Sequence, residues 1–259
     1  MYTSPFEQFN LTVLFPLVIN SWGNSTDVLN SLNVSITNST LYMFIGLAIF
    51  AFVTKVVSST FLVSPKTAIA SVFTELYKFL FTVVVGNIGS SNLKYFPFIS
   101  TVFVFICTMN LLGMIPYSFT VTSHISVTFS LAFGICVSLL ILGLQLHKAT
   151  FFKSFLPEGT PLPLVPLLTS IEIVSYLSHS VSLSVRLFAN MLSGHAILKI
   201  LSGFVASMSA AGGVFSVLAL APFTVVFALT GMECCIAILQ AYVFTVLTCI
   251  YLKDAIYPH

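Results

Sequence analysis

Hydrophobic and polar positions follow each other along this chain in long blocks, not with the two-residue period of a strand. A mostly polar arm, residues 1–40, precedes an apolar run at 41–63 and two apolar runs within 95–146, which are joined by the uncharged link "FTVTS". A helix needs ~20 apolar residues to cross the hydrocarbon core of a bilayer. The pattern therefore predicts three membrane helices, of which the second and third form a hairpin.

Segment 64–91 has a different pattern, because Lys66, Glu75 and Lys78 interrupt its apolar clusters. Charged positions on one face and apolar positions on the other are typical of a helix that lies in the membrane interface. We therefore expect an amphipathic helix at or near one surface.

The last block, 167–252, contains two apolar segments of about 40 residues that are separated by the turn signal "SAAGG". A helix of that length is ~60 Å long, about twice the hydrocarbon thickness, so each segment must tilt steeply, bend or break. Pro222 is a candidate position for a break. The fold class predicted is an all-α integral membrane protein with five membrane helices and one amphipathic surface helix, the last two helices forming a long, tilted antiparallel hairpin.

Composition supports this class, because 58% of the residues are hydrophobic and only 6% are charged. Soluble domains carry roughly 25% charged residues. The net charge of +2 is too small to indicate a nucleic-acid partner. The five cysteines all lie in apolar runs and form no C-x-x-C motif, so no disulfide framework, metal site or cofactor is predicted.

Lysine positions predict the orientation in the membrane. Seven lysines fall at or near one side of the predicted layout: Lys55, Lys66, Lys78, Lys94, Lys148, Lys153 and Lys253. The arm, the link "FTVTS" and the turn "SAAGG" contain none. Because positive charges remain on the inner side, the amino terminus is predicted outside and the carboxyl terminus inside.

Polar groups inside the long hairpin are the candidate functional residues, because an ionisable group at membrane depth costs ~2.5–3.5 kcal/mol. Glu172, His179 and Arg186, the only arginine, are spaced by seven residues and so share one stripe of a helix. A single such group can have a purely structural role, in which it hydrogen-bonds one helix to another. The regular arrangement favours a functional role.

Three pairs of these residues reflect about the turn at Gly212–Gly213, so antiparallel helices would bring each pair to one level. The pairs are His195 with Glu233, Arg186 with Gln240, and Glu172 with Asp254. His195 is half a turn out of phase with the arginine stripe. The spacing therefore predicts two polar routes, one from each side and laterally offset, that meet near Arg186.

The chemistry of these side chains suits proton transfer. A neutral imidazole or a protonated carboxyl group can relay a proton at membrane depth. A guanidinium group is never deprotonated in proteins, whereas a buried lysine loses its proton readily. Arg186 between two proton routes would block a leak and keep a facing carboxylate ionised.

Several motifs together resemble the a-subunit family of F-type ATP synthases, in its mitochondrial form. They are "SPFEQF" (4–9), "MIPYSFTVTSH" (114–124), "PEGTPLPLVPLL" (157–168), "RLFANMLSGH" (186–195) and "ILQAYVFTVLTCIYLKDAI" (238–256). The resemblance implies a non-catalytic proton-channel subunit of a rotary synthase in the mitochondrial inner membrane. Its partners would be a ring of c subunits, other membrane-sector and peripheral-stalk subunits, the lipid bilayer and protons. The amino terminus would lie in the intermembrane space and the carboxyl terminus in the matrix.

The resemblance also implies roles for individual residues. Arg186 would face the ring carboxylates, with Asn190 and Gln240 beside it. His195 and Glu233 would line the half-channel from the intermembrane space, and Glu172 and Asp254 the exit to the matrix. His179 stands where many relatives carry arginine or glutamine, so it either joins the inner route or packs as a neutral hydrogen-bonding residue.

A proton-coupled secondary transporter is the alternative, because it too uses charged residues at the membrane midplane. Transporters of that class are usually built from internal repeats, and the sequence contains no recognisable repeat.

Overall fold

The computed structural model describes residues 7–16, 18–20, 31–33, 35–62, 68–115, 118–147 and 165–257. Its helices are α1 (Asn38–Leu62), α2 (Ala68–Ile88), α3 (Phe96–Gly113), α4 (Ile125–His147), α5 (Val165–Ala210), α6 (Val214–Leu218) and α7 (Leu220–Ile256). Within these ranges six helical stretches are long and apolar enough to cross a membrane, which confirms the all-α membrane class. The sixth stretch, Ser71–Ile88, lies in the segment predicted to be amphipathic.

The amino-terminal arm contains short strands that the hydrophobic pattern did not predict. Strand β1 (Val13–Phe15) pairs antiparallel with β4 (Ile36–Thr37), and β2 (Val18–Asn20) pairs antiparallel with β3 (Ser31–Asn33). Asn38, the first residue of α1, accepts a hydrogen bond from the Thr12 amide at 3.3 Å and donates one to the Asn10 carbonyl at 3.3 Å. These bonds tie the arm to the start of α1.

Helix α2 buries one face, whereas its exposed face carries the apolar residues Val72, Phe79 and Phe81 as well as a charged pair. Leu80, Val84 and Ile88 are buried at four-residue spacing, and the helix packs against α7 and α3. Lys78 and Glu75 form an ion pair of 2.8 Å on the exposed face. Residues 64–67, which the prediction included, lie outside the described residues.

Helices α3 and α4 are joined by a compact connection whose described part contains a single 3-10 turn, Val121–Ser123. The Ser118 hydroxyl donates to the Leu112 carbonyl at 2.8 Å, which also accepts a hydrogen bond from the Ile115 amide at 3.3 Å. Gly113 is packed so closely that a Cβ atom there would lie 2.7 Å from Cγ2 of Thr120. The connection therefore holds the ends of the two helices firmly together.

The long hairpin turns where its sequence predicted. Gly212 and Gly213 have φ angles of 70° and 59°, which glycine adopts without steric cost. Helix α5 is continuous over 46 residues, or ~69 Å, so it spans a bilayer only when steeply tilted.

The second arm is interrupted at Ala219, between α6 and α7. Pro222 lies three residues later and has no N–H to donate to the carbonyl of Leu218, the last residue of α6. The interruption is therefore where the predicted effect of Pro222 on the helix hydrogen bonds would fall.

The core lies where α2, α3, α4, α5 and α7 meet. One buried cluster consists of Leu80, Phe103, Ile106, Ala132, Leu183, Leu187, Ala241 and Phe244. A second consists of Val84, Ile88, Ile99, Leu139, Cys249 and Leu252. Both contain α7 residues, so α7 is the central helix, and α5 is held against it and against α4.

Candidate functional site

Arg186 lies on the exposed face of α5, near the middle of the helix. His179 and Ser193, seven residues to either side, are also exposed, whereas Leu183 and Leu187 on the opposite face are buried. Glu172 is helical, but its side chain lies outside the described residues. Among the side chains that are described, Arg186 forms no ion pair. The predicted stripe is therefore one open face of the subunit, with a free guanidinium at its centre.

The hydrogen bond nearest to Arg186 between the two long helices joins Asn190 and Gln240. The Asn190 amide donates to Oε1 of Gln240 at 3.1 Å, and Gln240 is only 3% exposed. The spacing had placed Gln240 level with Arg186, whereas the structure joins it to the residue one turn nearer the hairpin turn. Gln240 of α7 is therefore connected to the face of α5 that carries Arg186 by its hydrogen bond with Asn190.

Asn110 of α3 adds an amide that the sequence reasoning missed. Its Nδ2 donates to the Ala237 carbonyl at 3.2 Å, and the residue is fully buried. A lone asparagine in the apolar run "FICTMNLLG" is the signal that could have identified it, since polar groups at membrane depth are rarely incidental. It extends the polar region from α5 and α7 to a third helix.

His195 and Glu233 lie at one level, as the spacing predicted. Glu233 rests against the α-carbon of Gly194, where a Cβ atom would lie 2.8 Å from its carboxyl carbon. No direct hydrogen bond joins the two side chains; Nε2 of His195 and Oε2 of Glu233 are both buried without a partner among the described residues. Each atom is therefore available to a further hydrogen-bonding partner, such as water.

His195 lines a large cavity near the turn of the long hairpin. The cavity has a volume of about 740 Å³, which is ample for many waters. Its polar lining residues are Gln8, Asn38, Tyr42, Ser118, His195, Lys199, Ser202 and Thr230. Three of these come from the amino-terminal arm and α1, which the sequence did not connect with the site. The polar arm thus forms a wall of the cavity that leads to His195.

The carboxyl end of the hairpin is built from aromatic rings. The ring of Tyr251 lies 6.1 Å from that of Tyr176 and 5.6 Å edge-to-face from that of His179. Asp254, one turn further along α7, is exposed and close enough to both tyrosines to interact electrostatically. The two tyrosines were missed, because aromatic residues in an apolar run look like ordinary core.

Two polar regions are therefore separated along the hairpin. One, near the turn, contains His195, Glu233, Asn190, Gln240 and Asn110. The other, near the carboxyl end, contains Tyr176, His179, Tyr251 and Asp254. Arg186 lies between them on the exposed face. Such an arrangement can relay protons from each end towards one surface but places a permanent cation between the two relays.

Comparison with known proteins gives one consistent result. The family model described as ATP synthase A chain matches residues 40–253. The chain is similar to "ATP synthase subunit a" of Chondrus crispus, with 45% identity over 99% of this chain and 97% of the relative. It is 44% identical to the protein of that name in Marchantia polymorpha over the full length of both, and 45% identical to that of Rhodospirillum rubrum over 99% of both. Because bacterial proteins are among the relatives, this similarity does not single out the mitochondrial form.

Proposed function

The chain belongs to the ATP synthase A chain family, and from this membership we propose that it is the membrane-sector subunit through which protons pass in an F-type ATP synthase. The observation that carries the proposal is the separation of two polar regions along the long hairpin by the exposed guanidinium of Arg186. A transporter reading is not favoured, because the relatives are similar over their full length and are named as synthase subunits.

The region near the turn is proposed as the entry route. Protons reach His195 through the cavity of about 740 Å³ and pass to Glu233 through the unpaired Nε2 and Oε2 atoms. Asn190 and Gln240 then orient the transfer towards the exposed face, because their amides are held by the 3.1 Å hydrogen bond. A neutral imidazole both accepts and donates, so His195 can hand on a proton without leaving its position.

The region near the carboxyl end is proposed as the exit route. Asp254 is exposed and His179 lies on the open face of α5, so both are reachable from the surface that carries Arg186. Glu172 is assigned to this route by its spacing and its resemblance to the family pattern. His179 packs edge-to-face on Tyr251, so it can hold the aromatic ring in place beside this route.

Arg186 is proposed as the seal and as the partner of a carboxylate on a rotating ring. Its face carries no ion pair within the described chain, so the guanidinium is free to pair with an acidic group brought to it. Because guanidinium keeps its proton, no proton can move directly from the entry route to the exit route through this residue. A carboxylate must instead leave the arginine, take up a proton on one side and release it on the other.

The partners follow from this role: a ring of c subunits against the open face of α5 and α7, further membrane-sector and peripheral-stalk subunits against the remaining helices, and the bilayer. We place the subunit in the mitochondrial inner membrane, with the amino terminus in the intermembrane space. The pair Gly194–His195, which resembles the mitochondrial pattern, and the one-sided distribution of lysines support this placement.

The test is passive proton flux through membrane vesicles that contain the assembled complex without its soluble head. We expect His195→Leu and Glu233→Gln each to slow the flux roughly 10-fold or more, since a positioned acid–base group contributes at least that much. The vesicles should not become leaky, because Arg186 still separates the two routes. Unchanged flux in both variants would overturn the assignment of the entry route.

A further inference from the structure

The interior of the long hairpin is divided into three levels that differ in polarity. The buried face of α5 carries Ser180, Leu183, Ser184 and Leu187, which recur at helical spacing and point away from the exposed Arg186. These residues face the buried side of α7 and the neighbouring helices. A path along this interior face therefore runs behind the arginine, through the body of the subunit.

The level nearest the turn is polar and incompletely hydrogen-bonded. Nε2 of His195, Oε2 of Glu233, Oδ1 of Asn110 and Nε2 of Gln240 are all buried without a partner among the described residues. Buried polar atoms of this kind normally bind ordered water. Protons that enter by this route therefore meet polar atoms on the interior side of the hairpin as well as on the open face.

The level nearest the carboxyl end is also polar. A cavity of about 10 Å³, room for a single water, is bounded by Tyr176, Ser180, Thr248 and Tyr251 among other residues. The Ser180 hydroxyl is buried there beside the Cys136 thiol. The exit route thus also reaches the interior.

Between these levels lies the apolar cluster that contains Leu183, Leu187, Ala241 and Phe244. Phe244 is 0% exposed, and Phe103 and Ile106 of α3 and Ala132 of α4 complete the packing around it. Along α7, Gln240 and Thr248 are separated by ~12 Å. Thr245 and Thr248 donate their hydroxyls to carbonyls of their own helix, at 2.6 Å and 2.9 Å.

One unsatisfied polar atom interrupts this apolar stretch. The Ser184 hydroxyl is 0% exposed and has no partner within the described chain. This hydroxyl could hydrogen-bond a water molecule in the middle of the stretch if the surrounding side chains left enough space. The packing that prevents this is confined to the cluster itself, because a cavity of about 230 Å³ borders Ile106 and Leu187, and the cavity of about 10 Å³ borders Ala132 and Leu183.

We propose that the cluster centred on Phe244 is a second proton barrier, which stops protons from bypassing Arg186 through the interior of the subunit. The inference rests on the proposed function. Arg186 guards only the open face on which it lies, whereas the two polar levels approach each other behind it. Phe244, Leu183 and Leu187 keep that gap dry.

The test uses assembled complexes in which the acidic residue of each ring subunit is replaced by its amide, so that the ring cannot carry protons. With the wild-type chain, vesicles without the soluble head should be tight. Phe244→Ser opens space for about two or three waters at ~30 Å³ each and adds a hydroxyl within the apolar cluster. We expect the leak of protons to rise ~10-fold, equivalent to ~1.4 kcal/mol off the barrier.

Two variants control for loss of packing. Phe244→Leu keeps the stretch apolar and should stay tight. Leu252→Ser introduces the same hydroxyl at an equally buried α7 position that lies outside the gap between Gln240 and Thr248, and it should also stay tight. Should Phe244→Ser reduce recovery of the complex, Leu183→Ser carries the same expectation from α5.

A tight vesicle with normally assembled Phe244→Ser and Leu183→Ser, or an equal leak in Leu252→Ser, would overturn the inner barrier. The same preparations with an intact ring distinguish this from failure of the proposed function. If His195→Leu slows flux there while Phe244→Ser does not leak through the amide ring, only the barrier is wrong. If His195→Leu has no effect, the entry route itself is wrong.

Discussion

The two ends of the long hairpin handle polar groups in opposite ways. Near the turn, Glu233 lies against Gly194 and the amides of Gln240 and Asn110 are buried, with a large cavity as the way in. Near the carboxyl end, Asp254 is exposed beside a packed aromatic pair, and the adjoining cavity holds about one water. A half-buried carboxylate such as Glu233 needs a water-filled path by which protons can reach it, whereas an exposed one such as Asp254 does not. The structure therefore places the more demanding proton transfer near the turn.

The largest expected effect is at the residue that keeps the two ends apart. We predict that Arg186→Ala abolishes proton-driven ATP synthesis, because the only permanent cation on the open face is lost. ATP hydrolysis by the detached soluble head should be unaffected. Arg186→Lys should also fail or leak, since a lysine desolvated at this depth gives up its proton.

Synthesis and hydrolysis are measured on the same membrane preparation, with complex recovery as the control for assembly. A normally coupled Arg186→Lys enzyme would contradict the argument that guanidinium is needed for its permanent charge. The two polar regions would then have to be kept apart by something other than a permanent positive charge.

The next effect concerns the close approach of Glu233 to α5. A Cβ atom at Gly194 would lie 2.8 Å and 3.1 Å from two carbon atoms of the Glu233 side chain, so Gly194→Ala must displace the carboxylate. A shift of ~1 Å in a reacting group can cost up to ~100-fold, and we expect proton flux to fall by about 10-fold to 100-fold. Flux is measured in vesicles without the soluble head.

Gly203→Ala on the same helix is the matched control, because no atom lies within 4 Å of the added Cβ atom. It should leave the flux unchanged. Equal effects of the two substitutions would mean that the flux responds to a change in helix α5 itself and not to the displacement of Glu233.

Spacing alone predicted part of this site. The turn at Gly212–Gly213 and the common level of His195 and Glu233 follow from positions in the chain, because antiparallel helices with a known turn have a fixed register. Gln240 was placed one turn away from its observed partner, Asn190. Side chains reach along the helix axis, so a level estimated from backbone rise carries an error of about one turn.

The rest required tertiary contacts. Tyr42 and Gln8 line the entry cavity although more than 150 residues separate them from His195. Phe244 and Tyr251 read as ordinary apolar residues, because periodicity does not distinguish a core residue from a barrier or a channel wall. The strands of the arm were missed since their apolar positions are few and their pairing is between segments distant in sequence.

The smallest effect is expected at the carboxyl end, where the difference between the two regions is most directly tested. Asp254→Asn should slow proton flux less than about fivefold, since exposed charges interact with their neighbours by roughly 1 kcal/mol or less. Tyr251→Phe keeps the ring that packs on Tyr176 and His179 and should have a still smaller effect. The measurement is again flux in vesicles without the head, with Glu233→Gln measured in parallel as the reference for the turn end. If Asp254→Asn stopped the flux as completely as Glu233→Gln, exposure of the carboxylate would not lower the demand on its surroundings. The exit would then be as constrained as the entry, and the aromatic pair beside Asp254 would be part of the proton route instead of its support.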